Sequence, residues 1–144
     1  MAKVSVIIPC YNQGHFLDEA VDSVLQQTYN DIEIIVVNDG STDEYTVRLL
    51  SEYDREKTIV ITTENQGLAA ARNNGILRSS GEYVLPLDAD DKIGPEYVEK
   101  AVEAMVENPS AGIIYCRARS FGAVEGEWGL PGYSLKEMIR DNII

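Results

Sequence analysis

Val4-Ser5-Val6-Ile7-Ile8, closed by Pro9, is the stretch whose reading decides the fold. It is short, rich in β-branched residues and almost continuously apolar, as a parallel strand buried on both faces must be. Downstream, apolar or small residues recur from Phe16 through Leu17, Ala20, Val21, Val24 and Leu25, the one-sided spacing of an amphipathic helix. Ile32 to Val37 repeats the buried-strand pattern and ends at the turn signal Asn38-Asp39-Gly40-Ser41. The alternation continues with a helix around Asp43 to Tyr53, a strand from Thr58 to Thr62, a helix from Leu68 to Leu77 and a strand from Tyr83 to Leu87. Pro95 stands where a further helix can begin, with Val98, Ala101, Val102, Met105 and Val106 as its buried stripe and Pro109 as its stop. Ala111 to Cys116 predicts one more strand. Units of this kind imply right-handed crossovers, hence an α/β fold with a mainly parallel sheet and helices on both faces.

After Arg119 the pattern weakens, because Gly122, Gly126, Gly129 and Gly132 interrupt a stretch that also holds Trp128 and Pro131. The expected organisation is therefore a core over residues 1–119, followed over 120–144 by a glycine-rich loop and a helix from Ser134 to Asn142, capped by Ser134 with Glu137 three residues on. The terminal Ile143-Ile144 reads as a truncation at the start of a further region.

The chain has 144 residues, 44% hydrophobic and 25% charged, which fits one soluble globular domain. Its net charge of −12 argues against nucleic acid or an anionic membrane as a direct partner, since both are bound through clustered Lys and Arg. A chain this acidic that binds a phosphorylated ligand needs local positive charge, and a metal ion supplies it. Cys10 and Cys116 lie far apart in apolar stretches and read as buried, reduced thiols. With no signal-peptide pattern and no apolar run long enough to span a bilayer, the sequence reads as cytoplasmic, without direct membrane insertion.

In an open parallel sheet, ligands bind beyond the carboxyl ends of the strands. The first strand delivers Pro9-Cys10-Tyr11-Asn12, the second Asn38-Asp39-Gly40, the third Glu64-Asn65-Gln66-Gly67 and the fourth Asp88-Ala89-Asp90-Asp91. Carboxylates crowded into one turn repel unless a cation lies between them, and hard Mg²⁺ or Mn²⁺ takes one or two of them together with water and substrate phosphate oxygens. The plainer alternative is an acidic entrance to the helix at Pro95. An EF-hand loop starting at Asp88 fails, because it needs an oxygen ligand at Lys92 and glycine at Ile93. A phosphatase-like Asp-x-Asp pair matches Asp88 and Asp90, though it follows the fourth strand rather than the first. A nicotinamide dehydrogenase is disfavoured, since the first strand leads to Pro-Cys-Tyr-Asn and not to a glycine-rich fingerprint.

Asp39 either closes an Asx turn onto Ser41 or Thr42 or accepts the N3 proton of uracil. Tyr11 either stacks on that base or packs at the strand end. Arg72 pairs with a base carbonyl or phosphate, or forms a salt bridge with one of the Asp residues. His15 reads as a surface residue at a helix start, and Trp128 as core filler or part of an acceptor-side wall.

Taken in order, Val4 to Asn12, Val36 to Asp43, Glu64 to Gly67 with Ala71-Arg72-Asn73, and Leu87 to Asp91 resemble the motifs of family-2 glycosyltransferases. The resemblance implies a Rossmann-like GT-A fold and inverting transfer of a sugar, usually from a UDP-linked donor, to a saccharide or lipid-linked acceptor, with Mg²⁺ or Mn²⁺. It carries nucleotide-sugar binding onto Pro9, Tyr11, Asn12, Asp39, Asn65, Arg72 and Asp88, and metal binding onto Asp90 with Asp88. It also implies a later acidic motif that supplies the general base. Glu125 and Glu127 lie in a setting unlike that motif, so the expectation is donor binding with little or no transfer. The alternative is a non-catalytic nucleotide-sugar-binding or interaction module. The resemblance leaves the sugar, the acceptor and the oligomeric state open, and allows the full-length protein to act at the cytosolic face of a membrane.

Overall fold

The two β-branched runs become the two central strands of the sheet in the computed structural model, which describes residues 2–129 and 132. β1 (Val4–Cys10) pairs in parallel with β2 (Ile32–Asp39) along its whole length, from Val4↔Ile32 to Cys10↔Asn38. β3 (Thr58–Thr63) lies outside β2, and β4 (Tyr83–Pro86) lies on the other side of β1, so the order is β3-β2-β1-β4 with all pairs parallel. Strand order therefore reverses between β1 and β4, the place where open α/β sheets part to admit a ligand.

Pro9 shows how that parting is built. β1 continues through it, although proline cannot donate a ladder hydrogen bond. The Val4 amide donates to the Asp31 carbonyl on the β2 side, so by alternation the nitrogens of Ser5, Ile7 and Pro9 face β4. β4 pairs with β1 only as far as Ile7↔Pro86. Pro9 thus falls past the last β4 partner, where no donor is required and the two strands separate.

Side chains alternate across the sheet. Val6, Ile8, Ile34 and Val36 pack with Leu17, Ala20, Val21 and Val24 of α1 (Gly14–Leu25), Leu50 of α2 (Glu44–Ser51) and Val98 of α4 (Tyr97–Glu107). Ile7, Ile35 and Val37 face the other way, onto Ala71 of α3 (Leu68–Arg78). The close approach of α3 requires Gly75, because a Cβ there would stand 2.3 Å from Cγ2 of Ile7.

At the amino end of the strands, Glu33 is surrounded by donors. Its carboxylate accepts from the Ser5 hydroxyl (2.5 Å), the Ser80 amide (2.6 Å) and Lys3 Nζ (2.6 Å). Burial alone would raise its pKa, but these bonds outweigh it and bring the group down to about 2.

Unit Met1–Val102 contains this sheet, and unit Glu103–Ile144 contains a two-stranded hairpin. The hairpin corrects one expectation. Residues 111–116 form no strand, and Ile113 and Tyr115 are exposed; the strands are instead β5 (Ala118–Ser120) and β6 (Gly126–Trp128), at the start of and within the stretch read as a loop. An apolar run becomes a strand only where it finds a pairing partner. Phe16 and Val106 are also exposed rather than part of buried stripes, as is Cys116, whereas Cys10 is buried. The helix expected at Ser134 lies outside the described residues. Among the described residues, no helix is long and apolar enough to cross a membrane.

Candidate functional site

The loops leaving the carboxyl ends of β1 and β2 are tied together by one side chain. Asn12 adopts a left-handed backbone conformation (φ 55). Its Oδ1 accepts from the amides of Thr42 (2.7 Å) and Asp43 (3.0 Å), while its Nδ2 donates to Thr42 Oγ1 (3.1 Å). Asn12 therefore braces the edge, a role the sequence reading did not assign to it. Beneath it, the Gly14 amide donates to the Thr46 hydroxyl, and a Cβ at Gly14 would lie 2.8 Å from that oxygen. Asp43 starts α2 by accepting from the Thr46 amide at 2.9 Å. Next to this brace Tyr11 is 45% exposed, with its ring available to a flat ligand.

The Asx turn at the end of β2 belongs to Asn38, whose Oδ1 accepts from the Ser41 amide at 3.0 Å. Asp39, on the opposite face, is only 3% exposed and accepts from the amides of Gln66 (2.9 Å, Oδ1) and Gly67 (2.9 Å, Oδ2). Its carboxylate thereby fixes the entry to α3, whose cap residue Gly67 offers no side chain of its own. Gly40 completes the junction with φ +66, and a Cβ there would stand 2.6 Å from the Asn65 amide nitrogen. Asn65 is exposed above it. Asp39, Gly40, Asn65 and the start of α3 thus form one packed corner.

At the point where strand order reverses, Arg72 Nη2 donates to Asp88 Oδ1 at 2.6 Å. Of the partners open to Arg72, the structure supplies an Asp carboxylate. Its Nε is buried without a hydrogen-bond partner among the described residues, an unused donor at this edge. Asp88 is half-buried, Ala89 is buried, and Asp90 and Asp91 are exposed, with the Asp91 amide closing the turn onto the Asp88 carbonyl at 3.0 Å. Although the residue is exposed as a whole, loss of water around its carboxyl, then the charges of Asp90 and Asp88, push that group above its usual range.

The turn offers carboxylate oxygens, the hard donor type that Mg²⁺ and Mn²⁺ take, and the charges of Asp90 and Asp88 both act on Asp91. No group of three or more His, Cys, Asp or Glu side chains is arranged to hold an ion among the described residues. One or two carboxylates suffice for Mg²⁺ when phosphate oxygens and water complete the shell. The thiol of Cys10 supplies nothing here, because burial pushes its pKa up. His15 is exposed and stacks on Tyr45 with ring centroids 4.0 Å apart, as a surface contact between α1 and α2. Trp128 is 62% exposed on β6.

The sequence reading named Tyr11, Asp39, Asn65, Arg72, Asp88 and Asp90, and the sheet brings all of them to its carboxyl edge. It missed the pieces that hold them: Thr46 under Gly14, and Asn12 as a brace. A cluster of small polar residues from Asn38 to Asp43 was the available signal for that bracing.

Residues 5–142 match the sequence model of glycosyl transferase family 2. Glycosyltransferase GlyA of Streptococcus pneumoniae is 41% identical over 145 residues, a match that covers 98% of this chain and 20% of the relative. Among solved structures, residues 1–349 of S. aureus TarS in complex with UDP-GlcNAc are 33% identical with a TM-score of 0.65, covering 74% of this chain and 32% of that one. The mannosyltransferase PcManGT of Pyrobaculum calidifontis, in complex with GDP-Man and Mn²⁺, is 29% identical with a TM-score of 0.65, covering 74% and 33%. The chain spans between 16% and 44% of the length of curated relatives it matches.

Proposed function

The chain belongs to glycosyl transferase family 2, and from that premise we propose that the carboxyl edge of its sheet is the donor site for transfer of a sugar from a UDP-sugar to an acceptor hydroxyl. Its parallel sheet with flanking helices is the GT-A arrangement of its structural neighbours. The observation that carries the proposal is the pairing of Arg72 with Asp88 beside the exposed residues Asp90 and Asp91, at the point where strand order reverses.

The division of labour follows from what each residue is free to do. Tyr11 offers an exposed ring for the base. Asp39, held by two amides, keeps carboxylate lone pairs as acceptors for the N3–H of uracil, a donor that cytosine lacks. Asn65 lies exposed over the same corner. Arg72 neutralises Asp88 and keeps its Nε as a donor toward an anionic oxygen. Asp90, with Asp88, would hold Mg²⁺ or Mn²⁺, which when bound stabilises the charge that develops on the departing diphosphate.

Inversion also needs a carboxylate that takes the proton from the acceptor hydroxyl as it attacks. We assign that role to neither Glu125 nor Glu127, both exposed on or beside the hairpin of the second unit. On this reading the 120–144 segment belongs to the acceptor side, and no described carboxylate is assigned as the base. The chain alone is then expected to bind UDP with metal and to transfer little. Calorimetric titration checks the donor site: UDP with Mn²⁺ releases heat saturably, and UDP without Mn²⁺ binds at least about tenfold more weakly, ~1.4 kcal/mol. Absence of heat at raised protein concentration would sink the reading.

A further inference from the structure

Just past the end of α1, the side chain of Gln27 is buried and uses both of its donors and its acceptor. Nε2 donates to the carbonyls of Ser23 (2.9 Å) and Gly94 (2.7 Å), and Oε1 accepts from the Val98 amide (2.9 Å). Its neighbours reach the same segment. The Thr28 amide donates to the Pro95 carbonyl (2.9 Å), the Thr28 hydroxyl to Glu99 (2.8 Å), and the Ile93 amide to the Ser23 hydroxyl (3.2 Å). Residues 93–99 are the exit of the acidic turn, and 91–96 belong to no helix or strand that would hold them in place. The end of α1 supplies the anchorage that a ladder would otherwise give.

The same helix begins at Gly14, locked against Thr46 under the Asn12 brace. One helix therefore spans from the loop that bears Tyr11 to the exit of the turn that bears Asp90. From this geometry we infer that Gln27 is a positioning residue for the proposed donor site, fixing the downstream arm of Asp88 to Asp91 so that Asp90 stays in place to hold the cation. The inference rests on the donor-site reading for its metal and on the hydrogen bonds alone for its mechanics. No other side chain of similar length meets the three partners: methionine takes this partner from the Ser23 carbonyl and the Val98 amide and leaves the Gly94 carbonyl with the Tyr97 amide alone, and glutamate turns an acceptor oxygen toward two carbonyl oxygens.

The test compares the wild-type chain with Gln27→Met and with Glu33→Gln, which weakens the opposite end of the sheet. Amide hydrogen exchange is read without ligand, and Mn²⁺ uptake in the presence of UDP is read by electron paramagnetic resonance. In Gln27→Met, exchange at the amides of Asp91, Ile93 and Val98 is expected to accelerate about tenfold more than exchange in β1 and β2, and Mn²⁺ affinity to fall by about tenfold. Glu33→Gln is expected to lower the melting temperature while leaving both readouts in place, which separates positioning from a general loss of stability. Unchanged exchange at those amides, acceleration spread evenly over the sheet, or unchanged Mn²⁺ affinity would each overturn the inference. A wild-type chain that takes up no Mn²⁺ with UDP would defeat the donor-site reading instead, and the exchange pattern would still decide the role of Gln27. If Gln27→Met does not fold, Ser23→Ala removes the acceptor for Ile93, together with the hydroxyl's bond to the Ala20 carbonyl within α1, and is expected to accelerate the Ile93 amide about threefold; no acceleration there counts against the inference.

Discussion

Carboxylates sit at both ends of this sheet, in opposite physical states. At the amino end, Glu33 is enclosed by Lys3, Ser5 and Ser80, and its pKa falls to about 2. At the carboxyl end, Asp88 has Arg72, while the Asp91 carboxyl is pushed upward by loss of water around it and by the charges of Asp90 and Asp88. A satisfied carboxylate fastens strands, and an under-satisfied cluster favours a cation. The same residue chemistry therefore serves the fold at one end and, as proposed, a ligand at the other.

The sharpest break in this comparison is Asp90→Asn. It is expected to reduce Mn²⁺-dependent UDP affinity by at least about tenfold in calorimetry, ~1.4 kcal/mol, with the urea midpoint unchanged. A variant that binds as tightly as wild type would remove the carboxyl end's claim to the metal.

Glu33→Gln should do the reverse, lowering stability by about 1–3 kcal/mol in urea denaturation while UDP affinity stays the same. The pH dependence gives the comparison its sign. Because the folded pKa of Glu33 lies below its ordinary value of 4.5, its stabilisation is complete above about 4.5 and is lost as pH falls toward about 2. Asp91 runs the other way: its folded pKa is raised, so its contribution is full below the ordinary value of 3.8 and is lost as pH rises through the folded value. Denaturation curves across acid pH should show a loss on acidification that Glu33→Gln reduces, with Asp43, held low by its bonds to Thr46, among the groups that supply the remainder; a slope unchanged by the substitution would assign it wholly to other groups.

Gly40→Ala is the mildest change. The left-handed φ and the contact with the Asn65 amide predict a stability loss of about 1 kcal/mol and a fewfold weaker affinity for UDP. An unaffected affinity would separate Asn65 from the donor site.

Much of this was legible in the sequence, for reasons that also explain the failures. The runs at Val4 and Ile32 could only be doubly buried strands, and the carboxyl-edge rule then gathered Tyr11, Asp39, Asn65 and Asp88 without coordinates. Adjacent Asn38 and Asp39 could not be told apart as turn closers, because the choice depends on which sheet face each side chain takes. Asn38 turns to Ser41, and Asp39 to the entry of α3. The run at Ala111 looked like a strand in composition but found no partner, while the three-residue strands of the hairpin were too short to announce themselves. Gln27 was illegible for a similar reason. A polar residue after a helix reads as surface until the segment it fastens is known to pass beside it.

The most direct test of the central claim is a crystal of this chain soaked with UDP and Mn²⁺. The account predicts the base against Tyr11 with its N3–H toward Asp39, and the ion between the diphosphate and Asp90. Nucleotide bound away from the carboxyl edge, or a crystal in which UDP and Mn²⁺ leave that edge empty, would contradict it.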